Sequence, residues 1–349
     1  MRIFFEHIPK INTLSKNLFK GISHDALHSE LENFVYCGSG KAAIAAILDF
    51  LRNNGTLMNK ISPILVPKWV GIEVYKTILE YAFPVINPNS KAKVLIAYHQ
   101  YGFPQNMDRI MDIADSRKMI VIEDCAHAFN SMYKGKMLGT IGDFSIYSFS
   151  KFCFCFALGG IGYKSVDFNE FFQKRLKATS NTLRFVINSV KLLDTCNAGR
   201  GGGRLINLPF THGLTKMAYS RYGDSLSSST YAIRMFENQI VEEESLRKKN
   251  YRFVRERLVK YGACDHLEEN DVIPYAIPLN LPEKISERAA NVLKNKGYET
   301  GIYHFDMNRC VFEPSFRKIM LIPCHSGLYG RPIEKLMDIV VKEIQQCSM

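Results

Sequence analysis

Between Ile64 and Lys164, short apolar runs alternate with segments of helical spacing, and this alternation restricts the chain to an α/β domain with a mostly parallel sheet. Residues 64–66, 84–86, 94–97, 119–122 and 144–148 read as strands. Residues 71–81 and 106–118 read as helices, the second with Met107, Ile110, Met111 and Ile113 along one side. A further helix, 42–51, follows directly on Gly38-Ser39-Gly40. The apolar run 152–158 is too short for a membrane span and ends in Gly159-Gly160, so it reads as a buried segment next to a turn.

Beyond Lys164 the pattern loosens. Arg200-Gly-Gly-Gly-Arg204 reads as a loop, and the polar stretch 225–230 leads into a long helix over 231–261 that joins two lobes. A strand over 272–279, a helix over 286–296, a short strand over 298–303 and a closing helix over 332–346 predict a small α+β lobe. At 349 residues the chain is long enough for more than one core, with residues 1–235 expected as the large domain and 236–349 as the small one.

Composition narrows the partners. The nine cysteines are odd in number, scattered and without a CxxC pair, which fits a reduced compartment and gives no metal-ligand spacing. The amino terminus lacks the apolar core and cleavage site of a signal peptide, so the expected location is the cytoplasm with no membrane span. With 45 Lys and Arg against 34 Asp and Glu, the net charge of +11 favours anionic partners, phosphorylated small molecules among them. The basic runs 174–191 and 247–257 carry no nucleic-acid-binding pattern and read as solvated helix faces, so no nucleic acid is expected.

Three constellations carry chemistry. Gly38-Ser39-Gly40-Lys41 opens a helix, where small residues let backbone amides approach an anion at the positive end of the dipole. In Val121-Ile-Glu-Asp124-Cys-Ala-His127 a hydrophobic strand ends in two carboxylates, with a histidine three residues after the aspartate. In Ser148-Phe-Ser-Lys151 a lysine precedes an apolar segment, company that lowers a lysine's pKa and frees its amine as a nucleophile. A phosphate cradle, an acid for a pyridinium nitrogen and a nucleophilic lysine are the parts a pyridoxal phosphate site requires.

In order and wording these motifs resemble the DegT/DnrJ/StrS sugar aminotransferases, over nearly the whole chain. Gly38-Ser-Gly-Lys-Ala-Ala43 is similar to the family's S-G-T-A-A segment, and Tyr98-His-Gln-Tyr-Gly102 with Pro104, Met107 and Asp108 to its H-x-Y-G-x-P-x-x-M-D run. Glu123-Asp-Cys-Ala-His-Ala128 resembles E-D-A-A-H-A. Tyr133-Lys-Gly-Lys136 with Gly139, Gly142 and Asp143 resembles Y-K-G-K-x-x-G-x-x-G-D, and Leu321-Ile-Pro-Cys-His325 resembles a closing L-P-x-H.

The resemblance implies the type I pyridoxal-phosphate-dependent aminotransferase fold and a homodimer with shared sites. It also implies transfer of an amino group, with glutamate as donor, to a nucleotide-linked keto sugar in surface polysaccharide or lipopolysaccharide synthesis. It makes Lys151 the catalytic, cofactor-bearing lysine and Asp124 the partner of the ring nitrogen. His127 lies against the cofactor, Ser39, Gly40, Lys41 and Ser148 hold its phosphate, and Trp69 stacks on its ring. A family histidine near His304 faces the substrate, while it is the surplus positive charge, not the resemblance, that makes Arg204 on the glycine-rich loop a contact for the sugar nucleotide's diphosphate. The chain departs from the family in places: Lys151 follows Ser148 two residues sooner than in S-F-H-x-x-K, and Lys41 replaces a threonine. The asparagine-arginine pair before the long helix has no clear counterpart, with Arg221 and Asn238 as substitutes. Two alternatives stay open at this stage, a sugar dehydratase using the same cofactor and a non-catalytic relative with a binding role.

Overall fold

The computed structural model describes residues 3, 33–155, 158–177, 228, 230–267 and 271–347. Its apolar runs pair into one seven-stranded sheet, made of β1 (Phe34–Cys37), β2 (Pro63–Leu65), β3 (Phe83–Val85), β4 (Val94–Tyr98), β5 (Ile120–Asp124), β8 (Phe144–Ser148) and β9 (Gly159–Tyr163). The spatial order is β1-β9-β8-β5-β4-β2-β3. Only β9 runs against its neighbours, antiparallel to both β1 and β8, so the carboxyl ends of the other strands share one edge. The five strands expected between residues 64 and 148 are all present within one or two residues of their predicted bounds, with 144–148 unchanged, whereas the strand expected over 298–303 lies three residues later, at Gly301–Asp306.

Helix α1 (Gly40–Asn53) lies on this sheet with residues 42–48 all buried. Its run of alanines keeps the helix close enough to the strands for Ile44, Ile47 and Leu48 to join the core. Ser39 caps it, its hydroxyl accepting the Ala42 N–H at 3.0 Å. Helices α2 (Ile72–Tyr81) and α3 (Met107–Arg117) are the predicted crossovers, followed by the small hairpin β6 (Met132–Tyr133) and β7 (Lys136–Met137) and by α4 (Val166–Lys177).

The long helix α5 (Thr230–Leu258) runs through the expected boundary at residue 235. After it a three-stranded antiparallel sheet, β10 (Ala276–Leu279), β12 (Phe316–Pro323) and β11 (Gly301–Asp306) in that spatial order, is covered by α6 (Glu283–Asn295) and α7 (Arg331–Cys347). Ile3 bridges Tyr298, so this residue packs on the small lobe.

Four expectations are corrected. Gly159-Gly160 is no turn but the start of β9. A Cβ on Gly159 would lie 2.3 Å from the Ser39 carbonyl carbon, and one on Gly160 2.2 Å from the Phe34 ring. Glycine here permits a close backbone approach rather than a reversal. The predicted strand 272–279 is regular only from Ala276, because residues 272–275 cross between the lobes. The central strand β12 went unread: after the half-buried Phe316, Arg317 and Lys318 are exposed and charged, its last five residues are buried, and it ends in proline. Finally, the run 247–257 is not one solvated face, since Arg247 is fully buried.

Because Gly159 abuts the cap of α1, Gly159→Ala should destabilise the protein by about 1–3 kcal/mol and weaken phosphate binding together with it. Urea unfolding and phosphate titration read both, and a variant of unchanged stability would refute the close approach.

Candidate active site

The shared strand edge gathers the chemistry. β4 ends at Tyr98, directly opposite Asp124 at the end of β5. β8 ends at Ser148, opposite Gly159, which is also the partner of Cys37 at the end of β1. Two residues past Cys37 stands the Ser39 cap. The positions singled out from three separate stretches of sequence thus lie along one edge of one sheet.

The cradle is built by close approach. A Cβ on Gly40 would meet the Ser148 Cβ at 3.0 Å and its Oγ at 3.5 Å, so the bare first residue of α1 and the Ser148 hydroxyl face each other with room for nothing larger. The amides of Gly40 and Lys41 belong to the first helical turn, where N–H groups have no partner within the helix and the dipole is positive. This arrangement fits a phosphate.

Beside it lie the acid, the histidine and the lysine. Burial pushes the Asp124 carboxyl above its usual range, while the Ala126 amide, at 3.0 Å from Oδ1, and the charge of Lys151 pull it back. A buried acid raised in this way gains from a cationic partner, and a protonated ring nitrogen is one. His127 is driven well below its normal pKa by desolvation first and then by the positive charges of Lys151 and Arg247, so it is neutral at pH 7. Its Nδ1 lies 2.8 Å from the Tyr98 hydroxyl. With Tyr98 donating, the proton of the imidazole sits on Nε2. Lys151 ends a single 3-10 turn, residues 149–151, directly after β8. Its charge acts on both Asp124 and His127, so the three predicted side chains form one electrostatic group. Donor set and cradle together fit pyridoxal phosphate.

A buried carboxylate holds this group in place. Glu123 accepts from the amides of Gly139 at 2.9 Å, Ile141 at 2.8 Å and Gly142 at 2.6 Å, and from His99 Nε2 at 3.1 Å. His99 Nδ1 accepts the Gln105 amide at 3.0 Å, which leaves the ring proton on Nε2. Burial alone would raise the Glu123 carboxyl, but these bonds outweigh it and hold it below its ordinary value. Cys125 joins His99 and Glu123 in a buried cluster of metal-ligating types, yet the nitrogen and oxygen atoms there are already engaged in these hydrogen bonds.

Trp69 and His304 stack on each other, rings parallel within 3° at 3.9 Å, and Trp69 remains 43% exposed. Between β2, β4 and the small sheet opens a cavity of about 230 Å³ whose lining includes Lys68, Tyr98, Gln100, Asp306 and Phe316. Tyr98 therefore belongs both to this cavity and to the His127 contact. Arg204 and Arg221 lie outside the described residues, and Asn238 is half-buried on α5. Sequence reasoning missed Tyr275, whose ring stacks on His127 at 4.2 Å, and Arg247 behind it. Neither stands in a motif, and Arg247 was one basic residue among several in the run 247–257.

Residues 66–161 match the model of the DegT/DnrJ/EryC1/StrS aminotransferase family. That segment carries half of the predicted site residues. It contains Trp69, Asp124, His127, Ser148 and Lys151; Ser39, Gly40 and Lys41 precede it, and Arg204 and His304 follow. The GDP-perosamine synthase of Escherichia coli O157:H7 is 28% identical over 245 residues, 69% of this chain and 57% of that protein. The chain thus matches little more than half the length of this relative. Among solved structures, Helicobacter pylori PseC, an aminotransferase involved in the biosynthesis of pseudoaminic acid, superposes with a TM-score of 0.65 at 10% identity over 99% of this chain and 100% of that one. The PLP-form of the sugar aminotransferase Spr1654 from Streptococcus pneumoniae gives 0.62 at 15% identity over 99% of both. This chain shares the fold of these two solved structures.

Replacing Glu123 with glutamine puts an amide donor among donors and should cost about 1–3 kcal/mol at neutral pH. Since the folded pKa is depressed below 4.5, the carboxylate's stabilisation is complete above that value and fades as pH falls through the depressed one. The gap between wild type and Glu123→Gln in urea unfolding should therefore narrow at about pH 3.5; an equal gap at both pH values would contradict an ionised Glu123.

Proposed function

We propose that the chain is a pyridoxal-phosphate-dependent aminotransferase that converts a nucleotide-linked keto sugar to an amino sugar, with an amino acid, glutamate, as donor. The observation that carries this reading is the convergence of Asp124, His127 and Lys151 beside the Gly40–Ser148 cradle, on a chain whose relatives include a GDP-perosamine synthase.

Bound pyridoxal phosphate supplies a carbonyl carbon that holds the amino group and a ring that accepts electrons. The chain's own residues do the rest. The amides of Gly40 and Lys41, with the hydroxyls of Ser39 and Ser148, bind the phosphate at the helix terminus. Asp124 keeps the proton on the ring nitrogen, which draws electron density away from the reacting carbon. Neutral His127, held by Tyr98, orients the ring without adding a charge that would compete with that proton. Lys151 would take the proton from the α-carbon of the donor, carry it as ammonium, and release it at the carbon that holds the amino group.

The keto sugar then runs the same proton transfers in reverse. Trp69 serves the cofactor ring, and His304 and Arg204 the sugar nucleotide, whose diphosphate suits a chain of net charge +11. Residues 1–235 form the cofactor domain and 236–349 the small domain of a cytoplasmic homodimer, and the product enters a surface polysaccharide. No helix among the described residues is long and apolar enough to cross a membrane.

Protein mixed with pyridoxal phosphate and reduced with borohydride should carry the added mass on the peptide holding Lys151. No label, or a label on another lysine such as Lys41, would overturn the reading. Asp124→Ala should still take up cofactor but lose about 100-fold or more in transamination, and full activity in that variant would remove Asp124 from the mechanism.

A further inference from the structure

The residues 271–275 cross from the small lobe into the site and are fastened along their length. The Asp271 carbonyl accepts the Met132 N–H at 2.7 Å, the Ser131 hydroxyl accepts the Ile273 N–H at 2.9 Å, and the Tyr101 carbonyl accepts the Tyr275 N–H at 2.8 Å. Gly102, at φ 104°, lets the crossing pass: a Cβ there would lie 2.7 Å from both the Ile273 carbonyl oxygen and the Pro274 Cα. From the other side, Arg247 Nη1 donates to the carbonyls of Pro274 at 3.1 Å and Tyr275 at 2.8 Å, while its Nε is paired with Glu243 at 2.6 Å. Arg247 Nη2 has no hydrogen-bond partner among the described residues. What the guanidinium meets are ring faces, Phe152 at 5.2 Å and Tyr275 at 6.0 Å.

The product of this fastening is the placement of one ring. Tyr275, 6% exposed, lies parallel to His127 within 6° at 4.2 Å, and the Lys151 Nζ sits 5.5 Å from the same ring centroid. A backbone held at both its amide and its carbonyl leaves the ring little freedom, so both predicted site residues rest against a fixed surface.

We propose that Tyr275 is a positioning residue for the reaction: its ring sets the plane of His127 and bounds the space in which the Lys151 amine moves. This rests on the reading of the site as an aminotransferase centre. A phenylalanine supplies the same face, and an aliphatic side chain does not, so Tyr275→Phe and Tyr275→Leu separate the ring from mere bulk.

The first readout needs no cofactor. In cofactor-free protein, the rate at which trinitrobenzenesulfonate labels Lys151 relative to exposed Lys136, read by peptide mapping, should rise about fivefold in Tyr275→Leu and stay within about twofold in Tyr275→Phe. In loaded enzyme, kcat should fall about 20-fold in Tyr275→Leu with the KM for the amino donor within about threefold, while Tyr275→Phe keeps its turnover. Tyr275→Met refills the volume without a flat face and carries the same expectations should the leucine chain fail to fold. Unchanged Lys151 labelling in a folded leucine or methionine variant overturns the proposal, as does equal loss of turnover in the phenylalanine and leucine variants. Failure of the aminotransferase reading would show separately, as absence of borohydride-fixed cofactor on wild-type Lys151.

Discussion

One buried carboxylate organises this site. Glu123 carries a charge into a fully buried position, which is tolerable only because three amides and His99 surround it with hydrogen bonds. Those donors come from separate stretches of chain. His99 stands just past β4, and Gly139 to Gly142 form the turn that feeds β8. Satisfying the carboxylate therefore fixes the ends of β4 and β5 and the entry to β8 at once. Asp124, Tyr98 and Ser148 are the residues those strands deliver to the edge, so their relative placement follows from an interaction that touches none of the chemistry directly.

A second layer comes from the small lobe. The crossing segment 271–275 and α5 press aromatic rings onto the end of β8, with Phe236 of α5 tilted 4.4 Å from Phe149 and Tyr275 stacked against His127. Arg247 ties the two, its charge paired with Glu243 and its donors spent on the crossing backbone. Removing either member of that ion pair would strand the other in a buried position. The lobe thus acts as one wall of the site rather than as an appendage, which is why the core runs continuously from Phe103 through α5 to α7.

What could be read in the sequence was local. Short apolar runs marked the parallel strands, and the glycine-serine pair marked the start of α1, because apolar clustering and helix capping are properties of adjacent residues. Asp124, His127 and Lys151 were legible for the same reason, as ends of strands with chemistry on them. What escaped depended on partners remote in the chain. Gly159 looks like a turn until Ser39 is found against it, Arg247 looks solvated until the carbonyls of 274 and 275 close over it, and Tyr275 is an ordinary aromatic until His127 lies on its face.

The short link between Ser148 and Lys151 is explained by the same packing. Phe149 is fully buried, its N–H donating to the Leu158 carbonyl at 3.0 Å and its own carbonyl accepting from both Phe152 at 3.0 Å and Cys153 at 3.1 Å. A residue anchored at both ends leaves no slack for a wide loop, so the chain tightens at once into the 3-10 turn that ends at Lys151. A longer spacer would reach the edge by wandering outward and returning. Here the lysine is three residues from the strand end and is already beside Asp124, His127 and the Tyr275 ring. The shortened spacing is therefore compatible with the placement of the amine: a tight turn over a buried phenylalanine does the work of the missing residues.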